Sequence, residues 1–127
     1  MEDETILVIS ESSAVGDEIT GMLANGWFKC EFINATQQVP NHLNQALKTT
    51  EMPLIIDLEL NNPVAKQLVR GILQATKLDR VIALAKDESQ TSSLKTKGFV
   101  HVAAKPVRGH VLMTLIGECV GEEEEEA

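Results

Sequence analysis

The segment "LIIDLEL", residues 54–60, runs apolar residues straight into Asp57 and then alternates apolar and acidic. A carboxylate at the end of a buried strand is costly to hold unless a partner compensates it. An isolated aspartate there most often caps the following turn. One that meets other charged groups is a candidate for reaction. Two such groups stand at equivalent places in the chain. Glu11 follows the apolar run "ILVI" (6–9) after Ser10, and Lys105 follows "FVHVAA" and precedes Pro106. Two carboxylates and an ammonium can act together only if the fold brings those three ends to one rim.

The elements that must do this alternate along the chain. "ILVI" (6–9), "LIID" (54–57) and "VIALA" (81–85) are short unbroken apolar runs, the pattern of strands buried on both faces. "WFKCEFI" (27–33) alternates Phe28, Cys30 and Phe32 with Lys29 and Glu31, which suits an edge strand with one wetter side. Trp27 reads as a packing residue at its start. "FVHVAAK" (99–105) is the last strand, with His101 as a surface residue of it.

Helical spacing fills the gaps. Val15, Ile19, Met22 and Leu23 follow a Ser12 or Ser13 cap and stop at Asn25-Gly26. Pro40 opens a helix with Leu43, Ala46 and Leu47 inward. Val64, Leu68, Ile72 and Ala75 follow the "NNP" turn at 61–63. A polar helix with Leu94 spans about 88–97 and ends at Gly98. Pro106 starts a last helix carrying Val107, Val111, Leu115, Ile116 and Cys119.

Five strands alternating with five helices imply an α/β, doubly wound parallel sheet with helices on both faces. The three apolar strands belong in the centre and the alternating one at an edge, so the strand order is 2-1-3-4-5. The chemistry of such sheets gathers outside the carboxyl ends of the strands, near the switch point. That rim collects Glu11, Asp57, the segment Ala85 to Asp87, and Lys105.

A chain of 127 residues is long enough for one domain with a real core. The formal charge is −8, but the glutamate run 122–126 supplies five of the 19 acids, leaving 14 acids against 11 bases. Nothing in that balance suggests a nucleic-acid surface. Cys30 and Cys119 have no metal-ligand spacing and read as small apolar residues in a reducing compartment. The acidic "MEDET" start is no signal peptide, and no apolar run reaches membrane-spanning length. The expectation is a soluble cytoplasmic domain without membrane or nucleic-acid contact.

The order "ILVISE", "IIDL", "VIALA", "KGFVHVAAKPV" resembles the receiver domain of two-component response regulators over nearly the whole chain. Its most specific stretch is "GFVHVAAKPV", where that family typically reads Gly-Phe-Asp-Asp-Tyr-Leu-x-Lys-Pro. The resemblance implies the flavodoxin-like receiver fold over 1–121, followed by an acidic disordered tail at 122–127. It implies that Asp57 is the phosphoacceptor and that Lys105 pairs with a phosphoryl oxygen, next to a cis Lys105-Pro106 bond. Glu11, Asp57 and a backbone carbonyl near Glu59 would be the magnesium ligands. The implied partners are a histidine kinase or histidine phosphotransfer protein, and other signalling domains in the same or another chain. Such a module carries signals in a phosphorelay and is not an enzyme in its own right.

The departures bear on mechanism. Ser10 stands where the first of two paired acids is expected and adds no charge, so magnesium binding should be weak. Ala85 replaces the hydroxyl residue that bonds the phosphoryl group, and Val102 the aromatic of the conformational switch. Val100 and His101 replace two usual acids, and Asn61 a common proline. These losses fit an alternative, a degenerate pseudo-receiver acting as a phosphorylation-independent interaction module. A flavodoxin-like cofactor binder is disfavoured, because "SESSAVGD" lacks a phosphate-cradling pattern.

Overall fold

The computed structural model describes residues 5–49 and 51–125, with side chains through residue 120. The elements are β1 (Ile6–Ser10), α1 (Ser13–Asn25), β2 (Cys30–Asn34), α2 (Asn41–Thr49), β3 (Leu54–Asp57) and α3 (Pro63–Gln74). A 3-10 turn (Leu78–Arg80) leads to β4 (Val81–Ala85), α4 (Glu88–Thr96), β5 (His101–Ala104) and α5 (Gly109–Glu125). All four strand pairs are parallel, and the order is 2-1-3-4-5.

The pleat sends alternate residues to opposite faces. Ile6, Val8, Ile55, Ile82 and Leu84 pack with Ile19 and Leu23 of α1 and with Leu112 and Ile116 of α5. Leu7, Ile9, Leu54, Ile56 and Ala83 pack with Leu43 of α2, Ala65 and Val69 of α3, and Leu94 of α4. Both faces of β1, β3 and β4 are therefore dry, which is why those strands show no alternation. Each fully buried leucine or isoleucine contributes roughly 1.5–3 kcal/mol. Strand β2 lies at the edge, with Glu31 exposed and Ile33 buried.

The edge strand begins at Cys30, three residues later than its sequence suggests, because 26–28 close α1. Phe28 N–H donates to the Leu23 carbonyl at 2.9 Å and Trp27 N–H to that of Ala24 at 3.0 Å, a Schellman pattern. That motif requires one left-handed residue, and it is Trp27 (φ 66°), since Gly26 sits one position too early at φ −89°. Expected to pack into the edge strand, Trp27 is instead 95% exposed.

Helix α3 also differs in detail. The Asn62 side chain caps it by accepting from Val64 and Ala65 N–H, and the buried stripe is Ala65 and Val69. Leu68 and Ile72 flank that stripe, whereas Val64 and Ala75, expected inside, are exposed. His101 is the larger correction. Val102 packs on the α2–α4 layer, so the parity of β5 turns His101 toward α5, where it is 3% exposed rather than at the surface. Its Nδ1 lies 3.6 Å from Glu118 Oε1 and makes no hydrogen bond.

Cys30 and Cys119 form no disulfide and lie half-buried beside the α1–α5 layer. Helix α5 continues to Glu125, into the segment expected as a disordered acidic tail; residues 126 and 127 lie outside the described ones. Among the described residues, no helix is long and apolar enough to cross a membrane.

Candidate functional site

Parallel strands point their carboxyl ends the same way, so the residues that close β1, β3, β4 and β5 share one rim. Ser10 closes β1 and Asp57 closes β3 beside it. Lys105 follows β5 and is fixed by its N–H, which donates to the Ala85 carbonyl at 3.1 Å. The Lys105-Pro106 bond is cis, as the resemblance implied.

Asp57 is 2% exposed, and donors surround its carboxylate. Ser10 Oγ–H donates to Oδ2 at 2.9 Å, and the Glu59 N–H to Oδ1 at 3.0 Å. Lys105 Nζ donates to Oδ1 at 3.0 Å and to Oδ2 at 3.1 Å. The Ser10 hydroxyl is itself oriented by accepting the Ser12 N–H at 3.0 Å. A lone carboxylate would be costly at this depth; this ring of charge-assisted bonds offsets that cost.

Lys105 Nζ also donates to Glu59 Oε1 at 2.6 Å, so one ammonium serves a buried and a half-exposed carboxylate. Burial works against the ammonium, but its hydrogen bonds to Glu59 and Asp57 outweigh that and hold its pKa above the ordinary lysine value.

Glu11 reaches the rim but turns to the loop after β3. Its Oε1 accepts the Asn61 N–H at 2.9 Å and the Asn62 N–H at 3.0 Å. Those amides, Asn62 foremost, hold its carboxyl below the ordinary glutamate range, with Lys66 and Lys105 adding to the effect. A depressed folded pKa stabilises above the unfolded value of about 4.3, and the contribution is lost as pH falls through the folded value. Glu11→Gln is therefore expected to flatten the acid limb of stability. At pH 7 it should cost less than about 1 kcal/mol, because the group is near solvent. Urea midpoints at neutral and acid pH measure this; an unchanged acid limb would show that the loop holds without the carboxylate.

Asp87 does not join the others. It caps α4, its Oδ1 accepting the Ser89 Oγ–H at 2.6 Å and the Ser89 N–H at 3.0 Å. The Ser89 hydroxyl bond is the main reason its carboxyl is held below the usual range. Ala85 is fully buried at the end of β4, and half-buried Val102 packs in the same layer.

Asp57 and Lys105 thus meet directly, while Glu11 braces the neighbouring loop. Sequence reasoning missed two partners. The Ser10 hydroxyl reads from sequence as a donor to a metal-bound water rather than to Asp57, although a hydroxyl beside a strand-end carboxylate is a natural donor. Glu59 entered only through its backbone carbonyl, yet an acid two residues past Asp57 is within reach of the same lysine.

No protein-family model and no curated protein matches the chain. Solved structures do match. A response regulator receiver domain protein from Clostridium thermocellum superposes with a TM-score of 0.73 at 17% identity, covering 98% of this chain and 100% of that one. A CheY-like receiver domain protein from Methanospirillum hungatei gives 0.71 at 18% identity, covering 98% of each chain. The receiver domain of the Saccharomyces cerevisiae response regulator Ssk1, crystallised with the histidine phosphotransfer protein Ypd1, gives 0.65 at 17% identity, with 96% of this chain and 92% of that chain covered. The fold is that of the response regulator receiver domain.

Proposed function

We propose that this chain is a receiver-type module of a cytoplasmic phosphorelay that accepts a phosphoryl group on Asp57 from a histidine kinase or a histidine phosphotransfer protein. The observation that carries this reading is the Lys105 ammonium, 3.0 and 3.1 Å from the two Asp57 oxygens at the carboxyl rim. An Asp57 oxygen attacks the phosphorus of a phosphohistidine; the O–P bond forms as the P–N bond breaks, and the imidazole leaves with the electron pair. Phosphoryl transfer depends mainly on positioning and charge neutralisation. Ser10 holds one carboxylate oxygen in place. Lys105 releases the carboxylate and follows the charge to a phosphoryl oxygen, as a compact ammonium on a flexible stem can.

Among the described residues, no group of three or more His, Cys, Asp or Glu gathers for a metal ion. The donor chemistry is nevertheless that of a hard cation: two carboxylates and a carbonyl suit magnesium, which keeps several of its waters. Glu11 through Oε2, which takes no part in its loop bonds, Asp57 and the Glu59 carbonyl would hold it. Bound there, magnesium would supply neutralisation of the phosphoryl oxygens. Ser10 adds no charge, so the affinity is weak.

A second reading is favoured by one observation, the saturation of a 2% exposed Asp57 by three donor groups. In that reading the ion pair is structural, and the domain binds partners without phosphorylation. Incubation with acetyl phosphate or a phosphorylated phosphotransfer protein separates the two. A hydroxylamine-labile adduct on Asp57, absent in a folded Asp57→Asn variant, is the expected result. No adduct with either donor decides for the second reading.

A further inference from the structure

A groove of about 770 Å3 opens between α2 and α3. It lies at the far end of the sheet from Asp57, since it includes Leu54, the first residue of β3. Its apolar lining is Leu47, Leu54, Leu68, Ile72 and Ala75. Its charged lining is Lys48, Lys77 and Arg80, with no acid among the lining residues. That sign runs against a chain whose net charge is −8.

The cations gather at one end. Lys48 sits in the last turn of α2, and Lys77 and Arg80 follow the end of α3. Arg80 is fixed as a wall, its Nη2 donating to the Met52 carbonyl at 2.9 Å. Lys48 and Lys77 are exposed, and neither is in an ion pair among the described residues. Gly71 lines the same groove from the interior of α3, where glycine weakens a helix. A Cβ built there meets nothing within 4 Å, so crowding within the fold does not require the glycine. The missing side chain leaves the groove open.

We propose that this groove binds a medium-chain aliphatic carboxylate, its head on Lys48 and Lys77 and its chain along Leu47, Leu68 and Ile72. Volumes of about 300–1,000 Å3 with an apolar lining and a few placed polar groups are those of small-molecule sites. A charged head at the cationic end and a tail on the apolar floor match both halves of the lining. A purely acidic peptide would leave the floor uncovered, and a neutral chain would leave the lysines without counter-charge.

The test is a methyl and amide NMR titration of the full chain with sub-micellar decanoate, and with decanol as the uncharged counterpart. Saturable shifts of the Leu47, Leu68 and Ile72 methyls by decanoate, with decanol much weaker, are expected. Lys48→Glu combined with Lys77→Glu should weaken binding by about tenfold or more. Gly71→Leu places a good helix former in the groove and should abolish binding with the far-UV spectrum unchanged. Asp57→Asn should bind decanoate as the native chain does, which keeps this site separate from phosphoryl acceptance. Equal binding of decanol, shifts that survive Gly71→Leu, no saturable shift at millimolar decanoate, or tighter binding of the peptide GEEEEEA than of decanoate at the same methyls would each overturn the proposal.

Discussion

Lys105→Met is expected to destabilise the domain by about 3 kcal/mol, the low end of what removing one partner from a buried ion pair costs. Methionine keeps most of the apolar stem, so the loss comes from charge rather than from packing. It leaves Asp57, 2% exposed, with only the Ser10 hydroxyl and the Glu59 amide as donors. It also leaves Glu59 facing a second carboxylate, although Glu59 is 41% exposed and solvent relieves part of that strain. Adding Asp57→Asn removes the orphaned charge, so the double variant should recover part of the loss, a non-additivity expected of groups in one network. The pH dependence has a definite sign. The folded pKa of Lys105 is raised, so its contribution is complete below the unfolded value of about 10.4 and disappears as pH rises through the folded value. Native and Lys105→Met proteins should therefore converge in stability on the alkaline side. Urea denaturation at neutral and alkaline pH measures both effects. A loss under about 1 kcal/mol, or a double variant no more stable than the single, would show that the pair does not brace the rim.

The architecture was legible because the strands differ so sharply in pattern. Three unbroken apolar runs can be satisfied only by burial on both faces, and one alternating run only at an edge; the order 2-1-3-4-5 follows. Single residues were less legible where two rules compete. Gly26 invites the left-handed position after α1, yet the hydrogen-bond register of the Schellman motif puts it on Trp27. His101 reads as exposed by residue type, but strand parity overrides type and buries it against α5. The rim shows the same division. Strand ends located Asp57 and Lys105, because parallel geometry fixes where backbones finish. Side-chain aim is not fixed in that way. Glu11 turns to two loop amides 50 and 51 residues away, and Ser10 to a carboxylate 47 residues away, contacts that exist only once the sheet is assembled.

Phosphorylation of Asp57 is expected to leave the face formed by α4, β5 and α5 where it is. A ligand moves a conformational equilibrium only through contacts that differ between the two states. The resemblance to receivers implies two such contacts: a hydroxyl at the end of the fourth strand that bonds the phosphoryl group, and an aromatic on the fifth that fills the space behind it. Here Ala85 offers a methyl group, fully buried among the residues packed on α2, α3 and α4. Val102 is β-branched, with little rotamer freedom, and already packs against that same layer. Neither position supplies the hydroxyl bond or the aromatic movement that those two contacts need. A phosphoryl group on Asp57 would then change the charge of the rim, where Lys105, Glu59 and the loop held by Glu11 would respond, and its effect would be electrostatic and local. Beryllofluoride, as a phosphoryl mimic, should shift the amides of Ser10 to Ser12, Asp57 to Asn62 and Lys105, while those of α4 and Val102 barely move. Ala85→Thr, which restores a hydroxyl at the strand end, should extend the perturbation toward α4. A concerted shift across α4, β5 and α5 in the native chain, or dimerisation through that face on phosphorylation, would mean that other residues complete the switch.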